Sequence, residues 1–180
     1  MDDIKIDLPV CNQYDESHDK NWAHRLCAIC SLWTLLKFHN SGFSVPVMDL
    51  VNKALAQDSY LENVGWKHAG IVNLANEYGL KLQYAKKFFY TPEEKEQGLL
   101  IVDENIRNHH PVIISIFSHF TPARGAHMVI INGFQNFGDS TLGYYIQDSD
   151  ATFRGHNYFV TRAELIQNWR GGLIYQDSLV

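Results

Sequence analysis

Apolar residues in the first half of the chain recur at the spacing of amphipathic helices. This pattern predicts helices over residues 27–39, 46–57 and 69–78. Residues 91–94 (Thr-Pro-Glu-Glu) form a capping box with proline at the first helical position, which predicts a fourth helix to about Asn108. The polar stretch of residues 12–25 is predicted to be a surface loop.

The second half is dominated by short, strand-like apolar runs. In this half we predict strands at residues 112–118, 127–134, 143–148, 158–160 and 173–175. Two further strands are predicted in the first half, at residues 4–10 and 80–85. A second capping box at Thr161 predicts a short helix to Trp169, ended by the glycine pair 171–172. This order predicts the α+β class, with helices packed against a mostly antiparallel sheet. Without repeats or a linker, residues 1–180 are expected to form one domain.

Composition and charge exclude several classes of protein. An apolar fraction of 46% and an aromatic fraction of 13% support a packed core and argue against a disordered chain. The net charge of −5 and the lack of a long basic run argue against nucleic-acid binding. The longest apolar runs fall short of the roughly 18 residues that a membrane span needs, so no membrane insertion is expected. The amino terminus does not resemble a signal peptide, which favours a cytoplasmic location, or a secreted one if a signal peptide is missing.

The cysteines at positions 11, 27 and 30 are too few for a disulfide scaffold. Cys27 lies in the first turn of a predicted helix, where unpaired N–H groups and the helix dipole favour the thiolate. Cys30 lies one turn deeper and is expected to face the core. By themselves, these positions fit a reactive thiol, a Cys-x-x-Cys redox pair or two small buried side chains.

A nucleophilic cysteine needs a base, and the base needs a partner that fixes its tautomer. Among nine histidines, His127 is the best candidate because it opens an apolar strand directly after the small residues Gly125 and Ala126. Asp148 ends the next strand, so the hairpin could bring His127 and Asp148 side by side. Taken alone, Asp148 reads as an ordinary turn residue.

The order of these residues resembles a known family. Gln13 followed by residues 26–32 (Leu-Cys-Ala-Ile-Cys-Ser-Leu) resembles the opening motif of the bacteriocin-processing (double-glycine) peptidases and their stand-alone relatives. These enzymes are papain-like cysteine peptidases. Further similar segments follow in the same order at 65–80, 111–115, 126–133, 148 and 160–169, so the resemblance covers about residues 8–176.

The resemblance implies a papain-like fold and a cysteine peptidase that cleaves peptide or other amide bonds. It implies Cys27 as nucleophile, His127 as general base and acid, Asp148 as the residue that orients His127, and Gln13 as an oxyanion donor. It further implies a peptide or protein substrate, no cofactor and no metal. The family's Gly-Pro after the cysteine is Ala28-Ile29 here, which leaves the width of the cleft and any preference for Gly-Gly open.

Other functions fit the same residues. The triad would also serve hydrolysis of a non-peptide amide or acyl transfer. A thiol–disulfide oxidoreductase would use Cys27 and Cys30, although no β-α-β pattern surrounds them. A third alternative is a catalytically silent domain of this fold that binds peptides.

Overall fold

The centre of the molecule is an antiparallel sheet. The computed structural model describes residues 3–17, 19–138 and 140–176. In these ranges the strands are β1 (Asp3–Lys5), β2 (Tyr60–Leu61), β3 (Gly65–Trp66), β4 (Gln83–Tyr84), β5 (Val112–Phe117), β6 (Ala126–Phe137), β7 (Ser140–Gln147), β8 (Asn157–Thr161) and β9 (Trp169–Tyr175). The sheet has the order β4-β9-β5-β6-β7-β8, with β1 also paired to β6, while β2 and β3 form a separate small hairpin.

Helices cover both faces of this sheet. They are α1 (Lys20–Ala23), α2 (Cys27–His39), α3 (Val47–Ala56), α4 (His68–Glu77), α5 (Pro92–Arg107) and α6 (Arg162–Asn168). Buried side chains of α2, α3 and α4 pack with Ile113, Met128, Ile130 and Ile174 on one face. Side chains of α5 and α6 pack with Ile114, Ile116, Val129 and Leu173 on the other. The predicted α+β class with a mostly antiparallel sheet is therefore confirmed.

The four long predicted helices and the main strands are present with small shifts at their ends. The predicted loop over residues 12–25 is wrong in part because it contains α1, whose first turn is capped by the Asp19 carboxylate accepting from Asn21 N–H (2.8 Å). The two-residue strands β2 and β3 were not predicted. The strand predicted over residues 4–10 is shorter in the structure, because β1 ends at Lys5. The alternation of apolar and polar residues therefore continues beyond the paired segment.

The prediction that glycines 171–172 end a helix is wrong. Helix α6 ends at Asn168, and both glycines lie inside β9. Gly171 has a φ of 86°, and a Cβ there would lie 2.3 Å from the carbonyl oxygen of Phe89. The glycine therefore lets the chain segment around Phe89 approach β9 closely, which is a tertiary requirement and not a helix stop.

No helix in the described ranges combines the length and the apolar character that crossing a bilayer requires.

Candidate active site

Cys27 is the first residue of α2, at the amino end of a largely buried helix. The first backbone hydrogen bond of this helix runs from Cys30 N–H to the carbonyl oxygen of Leu26 (2.8 Å). The N–H groups of Cys27, Ala28 and Ile29 therefore have no acceptor within the helix. Leu26 offers no side-chain cap. The positive end of the helix dipole is thus directed at Cys27, where it favours a thiolate.

His127 and Asp148 meet where β6 begins and β7 ends. These strands are antiparallel, with Ile130 opposite Gln147, so the hairpin brings the two residues to the same end of the sheet. The Nε2 atom of His127 lies 2.6 Å from Oδ1 of Asp148, and both side chains are buried. The structure therefore brings His127 and Asp148 side by side, as the sequence predicted.

The second ring nitrogen of His127 is directed at the cysteine. The His127 ring and the Cys27 thiol interact, since each shifts the pKa of the other, and Nδ1 is the nitrogen left for this contact because Nε2 is engaged by Asp148. The backbone of Met128 also interacts with the Cys27 thiol and lowers its pKa. The three side chains therefore form one continuous chain from thiol to imidazole to carboxylate.

Electrostatics favour an ion pair between the cysteine and the histidine. Burial opposes a charge on Cys27, but the His127 ring and the Met128 backbone together lower the pKa of the thiol below its ordinary value. Burial likewise opposes a charge on His127, yet Asp148 and Cys27 raise the pKa of the ring well above its ordinary value. The pair thus favours thiolate and imidazolium over thiol and imidazole.

Two residues that sequence analysis did not single out hold the Asp148 carboxylate. The hydroxyl of Tyr158 donates to Oδ2 of Asp148 (2.9 Å), and the N–H of Asp150 donates to Oδ1 (2.8 Å). Because β8 carries Tyr158 and lies beside β7, this contact depends on the pairing of Ile146 with Tyr158. Nothing in the local sequence around Tyr158 indicates this role.

Gln13 lies beside the residue that follows Asp148. Its side chain is 2% exposed, and its Oε1 accepts a hydrogen bond from the Ser149 hydroxyl (2.8 Å). Its backbone N–H donates to the Ser149 carbonyl oxygen (3.1 Å). This arrangement fixes the amide with its oxygen towards Ser149, and the Gln13 side chain also interacts with the neighbouring Tyr14 hydroxyl. Gln13 is not among the described residues that line the cleft next to Cys27.

Cys30 is separated from this site. Its side chain is fully buried, and its thiol contacts Cys11. The hydrogen bond with Cys11 and then burial raise the pKa of Cys30 well above its ordinary value. All three cysteines are free thiols. The expectation that Cys30 faces the core is confirmed.

An open cleft of about 380 Å³ lies against Cys27 and His127. Its walls come from the loop before α2, the β2–β3 hairpin, the start of α4 and the ends of β5, β6 and β9. Among the polar residues of this cleft that sequence analysis missed are His68, Ser115 and Arg170. The signal available was Ser115, a lone polar residue in the otherwise apolar strand β5.

The fold matches that of papain-like C39 peptidases. A model of the "Peptidase_C39 like family" matches residues 5–172. The chain belongs to this family. No curated protein sequence is similar enough to this chain to count as a match.

Several solved structures share the fold at low sequence identity. A putative C39-like peptidase from Bacillus anthracis has 18% identity and a TM-score of 0.67 over 98% of both chains. A double-glycine-motif protease from an AMS/PCAT transporter, solved with its leader peptide, has 16% identity and a TM-score of 0.57, over 98% of this chain and 99% of that one. The peptidase domain of Streptococcus ComA, a bifunctional ABC transporter of a quorum-sensing pathway, has 17% identity and a TM-score of 0.59, over 86% and 93%.

Proposed function

We propose that this protein is a cysteine peptidase that cleaves peptide bonds through an acyl-enzyme on Cys27. Family membership supports a cysteine peptidase in general. The observation that carries the assignment of residues is the chain of contacts from Cys27 through His127 to Asp148, at the edge of an open cleft. A nucleophile bonded to a base, and a base oriented by a carboxylate, are the parts that acyl transfer requires.

In the first half of the reaction, the Cys27 thiolate attacks the carbonyl carbon of the substrate. The N–H of Cys27 and the NH₂ group of Gln13 would donate to the oxyanion that forms, each contributing roughly 2.7–4 kcal/mol. The His127 imidazolium then gives its proton to the amine nitrogen as the C–N bond breaks. The products are a free amine and a Cys27 thioester.

In the second half, neutral His127 takes a proton from water, and the resulting hydroxide attacks the thioester carbonyl. The C–S bond breaks, the carboxylic acid product leaves, and the thiolate and imidazolium are restored. Asp148 supports both halves because its bond to Nε2 leaves Nδ1 facing Cys27 and stabilises the charged ring.

A peptide is the substrate class that we propose. The leader-peptide complex of the AMS/PCAT transporter protease supports this choice, since that protein shares the fold over nearly its whole length. The open shape of the cleft also suits an extended chain.

The thiol–disulfide alternative has less support. Such an enzyme needs a second reactive thiol, but Cys30 is fully buried, contacts Cys11 and has a raised pKa. A cysteine whose proton is held more tightly than usual is a poor partner for Cys27 in disulfide exchange.

The test is labelling with a peptidyl vinyl sulfone, followed by mass spectrometry of the labelled residue. We expect one adduct, on Cys27, that is lost in His127→Ala and kept in Cys30→Ala. Incubation with a peptide library should give new termini with the parent and none with Cys27→Ala. A folded parent that neither reacts at Cys27 nor cleaves any peptide would overturn the proposal in favour of a silent binding domain.

A further inference from the structure

The cleft beside Cys27 has a charge opposite to that of the whole protein. The chain carries 20 acidic and 15 basic residues, yet no carboxylate is found among the described residues that line the cleft. Two of its cations are already paired near the rim, Arg25 with Glu62 (3.3 Å) and Lys67 with Asp58 (2.8 Å). Arg170 is the cation whose charge is not balanced in this way.

Arg170 lies in β9, and its guanidinium is held in place without a counter-charge. Its Nη1 donates to the hydroxyl of Ser115 (3.3 Å), and the group lies 5.7 Å from the ring centre of Phe117. Across the described ranges, no carboxylate comes within 4 Å of it. A guanidinium has five N–H donors, so most of them are free for a ligand or water. Planar carboxylates are the groups that this fork of donors matches best.

His68 lies beside Arg170 as a neutral polar wall. Its ring packs over Gly172, where a Cβ would lie 2.6 Å from Nε2, so only glycine leaves room for it. Burial and then the Arg170 charge lower the pKa of His68 to about 4. The imidazole is therefore uncharged near neutral pH and does not add to or cancel the charge of Arg170. Its buried Nε2 has no hydrogen-bond partner among the described residues.

The strand register sets how far Arg170 lies from the reacting sulfur. Met128, whose backbone interacts with Cys27, is opposite Ser115 on β5, and Ser115 is opposite Gly172 on β9. Neighbouring strands are about 4.8 Å apart, and the Arg170 guanidinium contacts Ser115 (3.3 Å), so the guanidinium lies about one strand spacing beyond Met128. An extended peptide advances about 3.3 Å per residue. The Arg170 end of the cleft is thus within about three substrate residues of the bond at Cys27.

We infer that Arg170, with Ser115 and His68 around it, forms a subsite for an aspartate or glutamate side chain of the peptide substrate, within about three residues of the cleaved bond. The inference rests on the proposed peptidase function and adds to it a class of preferred sequence. Arg170 is an unpaired cation in a cleft whose described lining holds no carboxylate, while the chain as a whole has a net charge of −5, so an acidic peptide would be attracted to the cleft more than to the rest of the protein.

The first measurement is cleavage of a proteome-derived peptide library, with both sides of every cut identified by mass spectrometry. We expect Asp and Glu to be enriched over Asn and Gln at one position within about three residues of the cut, by roughly tenfold, as for one hydrogen bond to a charged group. The alternative outcome is that cuts fall at a constant distance from the free carboxyl terminus of the peptides, with no side-chain preference. That result would assign the subsite to the terminal carboxylate and would overturn the inference.

The second measurement compares kcat/KM for one peptide pair, with Glu or Gln at that position. Arg170→Gln should reduce the Glu-to-Gln ratio to about one, and Arg170→Lys should keep part of it because the charge remains. Lys67→Gln is the matched control, since it removes a cation of the same cleft that Asp58 already pairs, and it should keep the parent ratio. The melting temperatures of all variants identify any loss of folding. If Arg170→Gln does not fold, the comparison of the parent with Arg170→Lys decides.

The outcomes separate the subsite from the peptidase function. Cleavage without an acidic preference, or a preference that survives in Arg170→Gln, overturns the subsite and leaves the peptidase proposal intact. A folded parent that cleaves nothing overturns both.

Discussion

Tyr158 donates a hydrogen bond to the Asp148 oxygen that His127 does not use, at 2.9 Å. Both oxygens of this buried carboxylate are therefore engaged, Oδ1 by His127 and the Asp150 N–H, and Oδ2 by Tyr158. A carboxylate held at both oxygens cannot rotate away from the imidazole. Tyr158 is thus a positioning residue that acts on Cys27 only through Asp148 and His127.

Replacing Tyr158 with phenylalanine should lower kcat by roughly 10-fold to 100-fold, with little change in KM, because a hydrogen bond to a charged group is lost. The measurement is steady-state kinetics on a peptide found with the library. Tyr145→Phe is the matched control, because the Tyr145 hydroxyl also donates to a carboxylate, that of Asp3 (3.1 Å), but on the exposed side of the sheet. An equal loss in both variants would contradict the positioning role.

Alkylation of Cys27 by iodoacetamide should persist below neutral pH. The thiol pKa is lowered, so the thiolate is lost only when the pH falls below that lowered value. In His127→Ala the burial of Cys27 remains while the imidazolium is gone, so the profile should move to alkaline pH. Site-resolved mass spectrometry gives the rate at Cys27, and the buried Cys11 and Cys30 serve as unreactive references in the same sample.

Asp148→Asn should shift the same alkylation profile towards alkaline pH by less than His127→Ala does. Asp148 raises the pKa of His127, but its negative charge also raises the pKa of Cys27 directly, so its removal has two opposed effects. A Cys27 that reacts like an ordinary thiol and is indifferent to His127 would contradict the catalytic assignment.

Gln13→Ala should lower kcat by roughly 10²–10³ with little change in KM, because an oxyanion donor acts in the transition state. Ser149→Ala should give a smaller loss, since it removes only the bond that orients the Gln13 amide. Asn12→Ala is the control, because the Asn12 amide is engaged by exposed Asp15 (2.8 Å). Full activity in Gln13→Ala would show that the donor lies elsewhere.

Cys30→Ala should keep most of the activity and reduce the free energy of unfolding by about 1 kcal/mol, as expected for a small truncation in the core. The cause is the loss of a fully buried thiol that packs against Cys11. Urea unfolding measures the change, and kcat/KM is measured beside it. Loss of activity in a variant that remains folded, together with a reversible Cys27–Cys30 disulfide in the parent, would instead favour the oxidoreductase.

The local pattern was sufficient to place the candidate nucleophile, base and orienting residue at the ends of their elements. Cys27 begins a helix, His127 lies at the start of a strand, and Asp148 directly follows a strand. Each of these positions follows from periodicity and from the residues next to it, because helix starts and strand ends are determined within a few residues. The small residues before His127 and the apolar run after it indicated which of the nine histidines to pair with Cys27, and the resemblance implied the same residue.

Local pattern failed where a contact between distant segments decided the conformation. Glycines 171–172 predict a stop in isolation, but close approach of Phe89 makes Gly171 part of β9. Residues 60–66 have only two-residue strands, too short for a periodic signal, and they become a hairpin because Trp66 and Tyr60 pack against Trp22.

The sequence alone therefore determined the α+β class and the placing of Cys27, His127 and Asp148 at element ends. Only the tertiary structure decided what surrounds them: Tyr158 on Asp148, Ser149 on Gln13, and Arg170 with His68 in the cleft. The physical reason is that β9 lies between β4 and β5, and β8 lies beside β7. Such pairings of distant strands are set by the register and packing of the whole sheet, and no window of neighbouring residues contains that information.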